Sequence, residues 1–218
     1  MKILELGLLS DDVLETEAFY NQVLGLDTLY RDHSSVSFHV GATKLTFHTS
    51  QNVKPVYHFA FDVPNNKLIE AFCWIESKTE IMYVIPPDKI ADFYNWNAKS
   101  FYFYDNNGNI LEFIARNDLD NASQNSFDGK SILSVSEMGL VSKNVAAQCD
   151  ELFEKYGLTP YSKQPKLPKF IVLGTVTGIF ILVEENRDWY PTDKKSKSFW
   201  TKIVFNHEGE TRVLEVLE

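Results

Sequence analysis

One carboxylate recurs at the same point of a repeated segment. Glu5-Leu-Gly-Leu-Leu-Ser-Asp-Asp-Val and Glu137-Met-Gly-Leu-Val-Ser-Lys-Asn-Val share Glu, Gly, Leu, Ser and Val in register. Both run on without a gap to a Gly-Leu pair, Gly25-Leu26 in the first copy and Gly157-Leu158 in the second. Each copy reads as a short strand, a polar turn, an amphipathic helix and a glycine stop. Repetition at long spacing marks duplicated structural units. An acidic residue duplicated on an otherwise apolar strand asks for a cation, because a buried charge left unpaired is costly.

The elements that must position such residues follow a repeating order. Residues 2–9 read as a strand, Ser10-Asp11-Asp12 offers N-cap oxygens, and Leu14, Ala18, Phe19 and Val23 recur at helical spacing up to Gly25. Strand signals follow at Asp27–Arg31, Ser35–Val40 and Thr43–Thr49. The order then starts again with a strand at Tyr57–Val63, a cap at Asn65-Asn66, and a helical stripe of Leu68, Phe72 and Ile75. Strands are expected at Glu80–Ile85, Ser100–Tyr104 and Ile110–Ala115, the last two joined by Asp105-Asn-Asn-Gly108, a tight-hairpin signal. Residues 116–131 are polar and aperiodic, a linker or covered loop. A third unit starts at Ile132, with a helix over Val145–Tyr156 and strands near Lys169–Leu173 and Ile179–Val183. After the loop Asp188–Ser198 only a hairpin remains, Thr201–Phe205 and Arg212–Leu217 around His207-Glu-Gly209. A fourth unit is thus reduced to two strands with no room for a helix.

Composition narrows the partners. A chain of 218 residues with 44% hydrophobic and 23% charged residues can bury real cores. Its formal net charge of −9 argues against a nucleic-acid partner, which needs a basic face. Lys194, Lys195 and Lys197 read as a solvated loop. No apolar run reaches the ~18–20 residues of a membrane span. Met1-Lys2-Ile-Leu-Glu5 lacks the pattern of a secretory signal. Cys73 and Cys149 each fall in an expected helix and read as buried, reduced thiols of a cytoplasmic protein.

Strand–helix–three-strand units in tandem, carrying Phe19-Tyr20-Asn-Gln-Val-Leu24-Gly25-Leu26, Tyr57-His58-Phe-Ala-Phe-Asp-Val63 and Ser100-Phe-Tyr-Phe-Tyr-Asp-Asn-Asn-Gly-Asn-Ile-Leu-Glu112-Phe-Ile, resemble the vicinal oxygen chelate superfamily. Its members include glyoxalase I, extradiol dioxygenases and the fosfomycin- and bleomycin-resistance proteins. The resemblance implies an α+β fold of tandem βαβββ units that form cupped mixed sheets. Residues 1–116 would supply two units and the metal cup. Residues 117–131 would be a linker, and 132–218 the third unit with the reduced fourth. Metal ligands in the superfamily lie on the first and last strands of each unit. Carried over, the first-strand positions are Glu5 and His58 and the last-strand positions Lys44 and Glu112. The implied metal ligands are Glu5, His58 and Glu112, a set suited to Mn, Fe(II), Zn or Mg. Lys44 would hold an anionic substrate oxygen, and His48, on the same strand face, would carry protons at the cavity mouth.

Three functions remain open on this reading. The first is a divalent-metal-dependent lyase, isomerase or addition enzyme on a small oxygen-bearing substrate. The second is a metal-free small-molecule-binding protein of the bleomycin-resistance type, with Lys44 neutralising Glu5 and Glu112. The third is Fe(II) ring cleavage, against which Glu5 counts because those enzymes use two histidines and one carboxylate. Glu137 has no partner equivalent to His58, so it is expected to pair with a base or mark a lost site. The incomplete second cup calls for cover from the linker, from the C-terminal loop around Asp188-Trp189-Tyr190-Pro191, or from a second subunit in a homodimer.

Overall fold

A computed structural model describes residues 1–51 and 53–217. The first unit is β1 (Lys2–Ser10), α1 (Val13–Gln22), β2 (Thr28–Arg31), β3 (Ser35–Val40) and β4 (Thr43–Thr49). The second is β5 (His58–Val63), α2 (Leu68–Glu76), β6 (Ala91–Phe93), β7 (Ala98–Tyr104) and β8 (Ile110–Arg116). The third is β9 (Ser134–Ser142), α3 (Val145–Tyr156), β10 (Phe170–Thr175) and β11 (Gly178–Glu184). The hairpin β12 (Thr201–His207) and β13 (Glu210–Val216) stands alone, the reduced fourth unit. The architecture is the α+β tandem βαβββ arrangement.

Local chemistry explains the boundaries. Asp12 caps α1 by accepting from the backbone of Leu14 and Glu15, and Asn144 caps α3 by accepting from Ala147. Asn65 and Asn66, the expected cap of α2, instead bind the loop between β8 and β9, at the Leu119 and Ser123 carbonyls. The strand expected at Glu80–Ile85 does not form. That stretch makes a bridge from Ile81 to Phe103 and then meets Pro86-Pro87, which cannot donate to a ladder, so the short edge strand is β6 instead. Cys149 is buried, but Cys73 is exposed, because α2 turns Leu68, Ala71 and Ile75 inward and residue 73 outward. No helix among the described residues is long and apolar enough to cross a membrane.

The sheets pair the units in an order that sequence adjacency does not suggest. One sheet runs β13-β12-β1-β4-β3-β2, and the other β10-β11-β9-β5-β8-β7-β6. The expected cup of the first two units is therefore corrected. The second unit joins the third through antiparallel β5 and β9, and the first unit joins the hairpin through antiparallel β1 and β12. The hairpin covers the free side of β1, which would otherwise present an unpaired ladder edge.

A buried turn ties the first unit to the second and sets the start of β8. Asp105 accepts from Asn107 N at 2.9 Å, Asn109 N at 2.8 Å, Asn109 Nδ2 at 2.8 Å and, from α1, Tyr20 Oη at 3.0 Å. Burial nevertheless pushes this carboxyl up to about 6. Asn109 Oδ1 accepts from Tyr57 N at 2.8 Å, and Ile110 N donates to Tyr57 O at 2.8 Å, which aligns β8 with β5. Tyr20→Phe removes one donor from a buried carboxyl and should lower unfolding free energy in urea by about 1–3 kcal/mol. A change below about 0.5 kcal/mol would mean that the turn docks without this bond.

Candidate metal centre

His58, Ala60 and Asp62 share one face of β5, and Glu112 and Arg116 share the same face of β8. Ala60 registers with Glu112 on one side and with Glu137 on the other. Tyr102 on β7 registers with Glu112. The result is a row of Tyr102, Glu112, Ala60 and Glu137 across four strands, with His58 one pleat away. Ala60 and Gly139 are the small residues of the first strands beside these larger side chains.

His58, Glu112 and Glu137 offer ligand atoms that all lie within 4.8 Å of one another, the one such cluster among the described residues. Two donors bound at about 2.1 Å to one ion stand roughly 3–4 Å apart, so a small inward shift would close the set. The imidazole is prepared for it. His58 Nδ1 lies 3.1 Å from the Ile110 carbonyl, which can only accept, so Nδ1 carries the proton and Nε2 a lone pair. Burial pushes His58 down to about 4, which keeps it neutral at physiological pH. Nε2 then faces Glu112 Oε2 at 3.5 Å, and two lone pairs need a proton or a cation between them.

The carboxylates make the same demand. Glu112 is 2% exposed, and burial, reinforced by the Glu137 charge, pushes it up to about 8. Glu137 is raised by burial, with Arg116 acting against the shift. Arg116, 1% exposed, donates Nη2 to Glu137 Oε1 and Nη1 to Asp62 Oδ1, with Ser136 Oγ at 3.1 Å from Nη1. Burial works against its charge but is outweighed by Asp62, Glu137 and Glu112. With all three carboxylates ionised against one guanidinium, two negative charges stay uncompensated inside the protein. One divalent cation cancels them, so the donor set fits such an ion.

The structure places the sequence-derived candidates in two groups. His58 and Glu112 meet. Glu5, Lys44 and His48 lie on the other sheet, where they line a separate shallow hollow with Thr46, Trp200 and Lys202. Glu5 is exposed and registers with Lys44, which is also exposed. Glu5 is thus corrected as a companion of His58 and Glu112, because β1 pairs with β12 and not with β5. Lys44 is displaced by register as well. Glu112 faces Ala60, two residues after His58, so its counterpart opposite Gly7 is Thr46, not Lys44. His48 packs edge-on against Trp200, with ring centroids 5.4 Å apart. Glu137 takes the third place and does meet a base, Arg116. The fourth position, opposite Gly139, holds Ile181, which cannot ligate.

A cavity of about 230 Å³ opens over the cluster, lined also by Trp96, Phe170, Arg187 and Trp189. The loop after β11 folds over it, and the Trp189 ring lies tilted against His58, with centroids 5.4 Å apart. Gly139 permits that approach, since a Cβ there would lie 2.5 Å from Trp189 Cη2. Asp62 and Arg116 were not foreseen as parts of the metal centre. A charged residue on each of two otherwise apolar strands, Asp62 on β5 and the arginine that ends β8, was the signal available.

No protein-family model matches the sequence, and no curated protein matches it. Solved structures do. A provisionally assigned dioxygenase from Bacillus subtilis superposes with a TM-score of 0.61 at 17% identity, over 84% of this chain and 63% of that one. A glyoxalase I variant from Zea mays superposes with a TM-score of 0.58 at 15% identity, over 89% of this chain and 71% of that one. The chain spans under two thirds of the Bacillus subtilis protein. The chain has the fold that these two structures share, with its tandem βαβββ units.

Arg116→Met should leave Asp62 and Glu137 buried without a counter-charge and cost about 3–5 kcal/mol of stability at neutral pH. The double change with Asp62→Asn should recover part of that loss in the same denaturant titration. No recovery would show that the cost comes from packing rather than charge.

Proposed function

We propose that this protein is a divalent-metal-dependent enzyme acting on a small oxygen-bearing substrate, with the metal held by His58, Glu112 and Glu137. The charge balance of the buried cluster carries the reading: three carboxylates, one guanidinium and a neutral imidazole become electroneutral with one M²⁺. The donor set of one imidazole and two carboxylates suits Mn, Fe(II), Zn or Mg. When bound, such an ion supplies Lewis-acid stabilisation of negative charge on substrate oxygens.

The chain's own residues have separable tasks. Arg116 occupies Glu137 Oε1 and leaves Oε2 free, which orients that carboxylate. Ile181 at the fourth position keeps one side of the cluster open to substrate. Without a metal, burial and the Glu137 charge push Glu112 up to about 8, so it is the ligand that gives up a proton when the ion binds. Burial, then the Glu112 charge, raises the Tyr102 hydroxyl well above its ordinary range, so it stays a hydrogen-bond donor toward an oxyanion. Trp189 and the aromatic walls exclude water. These tasks fit lyase, isomerase or addition chemistry.

One observation favours a second reading, a metal-free binding pocket. Glu112 protonated at neutral pH and Glu137 paired with Arg116 leave a tolerable charge without any metal.

Elemental analysis of protein reloaded with Mn(II) or Zn(II) separates the two. About one equivalent should be retained, lost in His58→Ala and in Glu137→Gln, and kept in Glu5→Gln. Retention in the first two, or loss in the third, contradicts the assignment. Binding should also displace a proton. Because Glu112 is protonated below about 8 and His58 is neutral above about 4, affinity should rise about tenfold per pH unit between roughly pH 5 and 8, then level off. Calorimetry at pH 7 in buffers of different ionisation enthalpy should count about one proton released. None released means that Glu112 is already ionised or does not ligate.

A further inference from the structure

We infer that the ligand of this cavity carries a flat unsaturated ring and an anionic group, and that Arg187 receives the anion. The inference rests on the reading that the cavity is the substrate site, and adds what fills it.

The walls select the ring. Phe93, Trp96, Tyr102, Phe170, Trp189 and Tyr190 surround the space above the cluster. They fix one another edge to face or tilted, with centroids 5.8 Å apart for Phe93 and Trp96 and 5.6 Å for Tyr102 and Tyr190. At about 230 Å³ the cavity is smaller than the ~300–1,000 Å³ of sites for drug-sized ligands, which limits the occupant to a ring or two.

Arg187 supplies the polarity. It follows β11 by three residues, lines the same cavity, and places its guanidinium carbon 5.0 Å from the centre of the Phe170 ring. Of the neighbouring acids in the chain, Glu185 makes no ion pair with Arg187 among the described residues, and the other two are engaged elsewhere. Glu184 pairs with Lys169 at 2.5 Å and Asp188 with Lys195 at 2.6 Å. The Arg187 guanidinium makes no ion pair or side-chain hydrogen bond among the described residues, while the guanidinium at the cavity floor, Arg116, is held by two carboxylates. A fork of donors stacked on an aromatic face and left free at a cavity wall suits a carboxylate or phosphate. An aromatic box beside carboxylates could instead draw an organic cation. Arg187 repels that occupant.

Binding can be read from quenching of tryptophan fluorescence in protein kept metal-free with EDTA, using 2-naphthoate and its neutral amide. The carboxylate should bind about tenfold tighter or more than the amide. Arg187→Gln should bring the ratio close to one while amide affinity, the check on an intact pocket, is unchanged. Arg187→Lys should keep part of the preference. An unchanged ratio in Arg187→Gln, no binding of either probe, or tighter binding of benzyltrimethylammonium than of naphthoate overturns the inference. Because no metal is present, failure of the metal assignment would leave this ratio intact, so the two can fail separately.

Discussion

The antiparallel seam between β5 and β9 is the contact on which the site depends. It brings the first strands of two units side by side, so that His58 and Glu137, equivalent positions in their units, look into one hollow. Parallel pairing of β5 with β8 then adds Glu112 from the other side. Neither contact alone makes a ligand set. Together they converge three side chains from three strands, each on a rigid ladder, which holds donors more tightly than a loop could.

Convergence has an electrostatic cost that the fold meets in part. Arg116 ends β8 on the same face as Glu112 and reaches both Asp62 and Glu137. It compensates one of the carboxylates fully and leaves the cluster short of positive charge. A second buried base would have left a single negative charge, too little to call for a divalent ion. The shortfall is what turns a buried network into a receptor for a cation or a proton; with burial it pushes Glu112 toward its protonated form, while burial alone holds His58 neutral.

The unit pattern was legible in the chain because each unit carries its own signals: a polar cap, helical spacing, and apolar strands. The helix over residues 145–156, the reduced fourth unit and the delivery of Glu112 by the 105–108 hairpin follow from local chemistry of that kind. The pairing of units was not legible. Which first strand meets which is settled by long-range edge matching, and nothing within Glu5-Leu-Gly-Leu-Leu-Ser distinguishes it from Glu137-Met-Gly-Leu-Val-Ser in that respect. The error at Lys44 has a different origin. Equating Lys44 with Glu112 ignores a two-residue offset along the ladder, which only the observed register reveals.

The two copies of the repeated glutamate show how surroundings, not residue type, decide function. Glu5 sits on an open face, exposed, with Lys44 and Lys202 nearby in solvent. A charge there loses little hydration and needs no fixed partner. Glu137 occupies the matching strand position at 2% exposure, where the same carboxylate has lost its water. Arg116 takes one of its oxygens, and the carboxylate offers an atom within 4.8 Å of those of His58 and Glu112. The Trp189 loop folded over the second sheet is therefore what converts one copy of the repeat into a candidate ligand, while the other stays a surface acid.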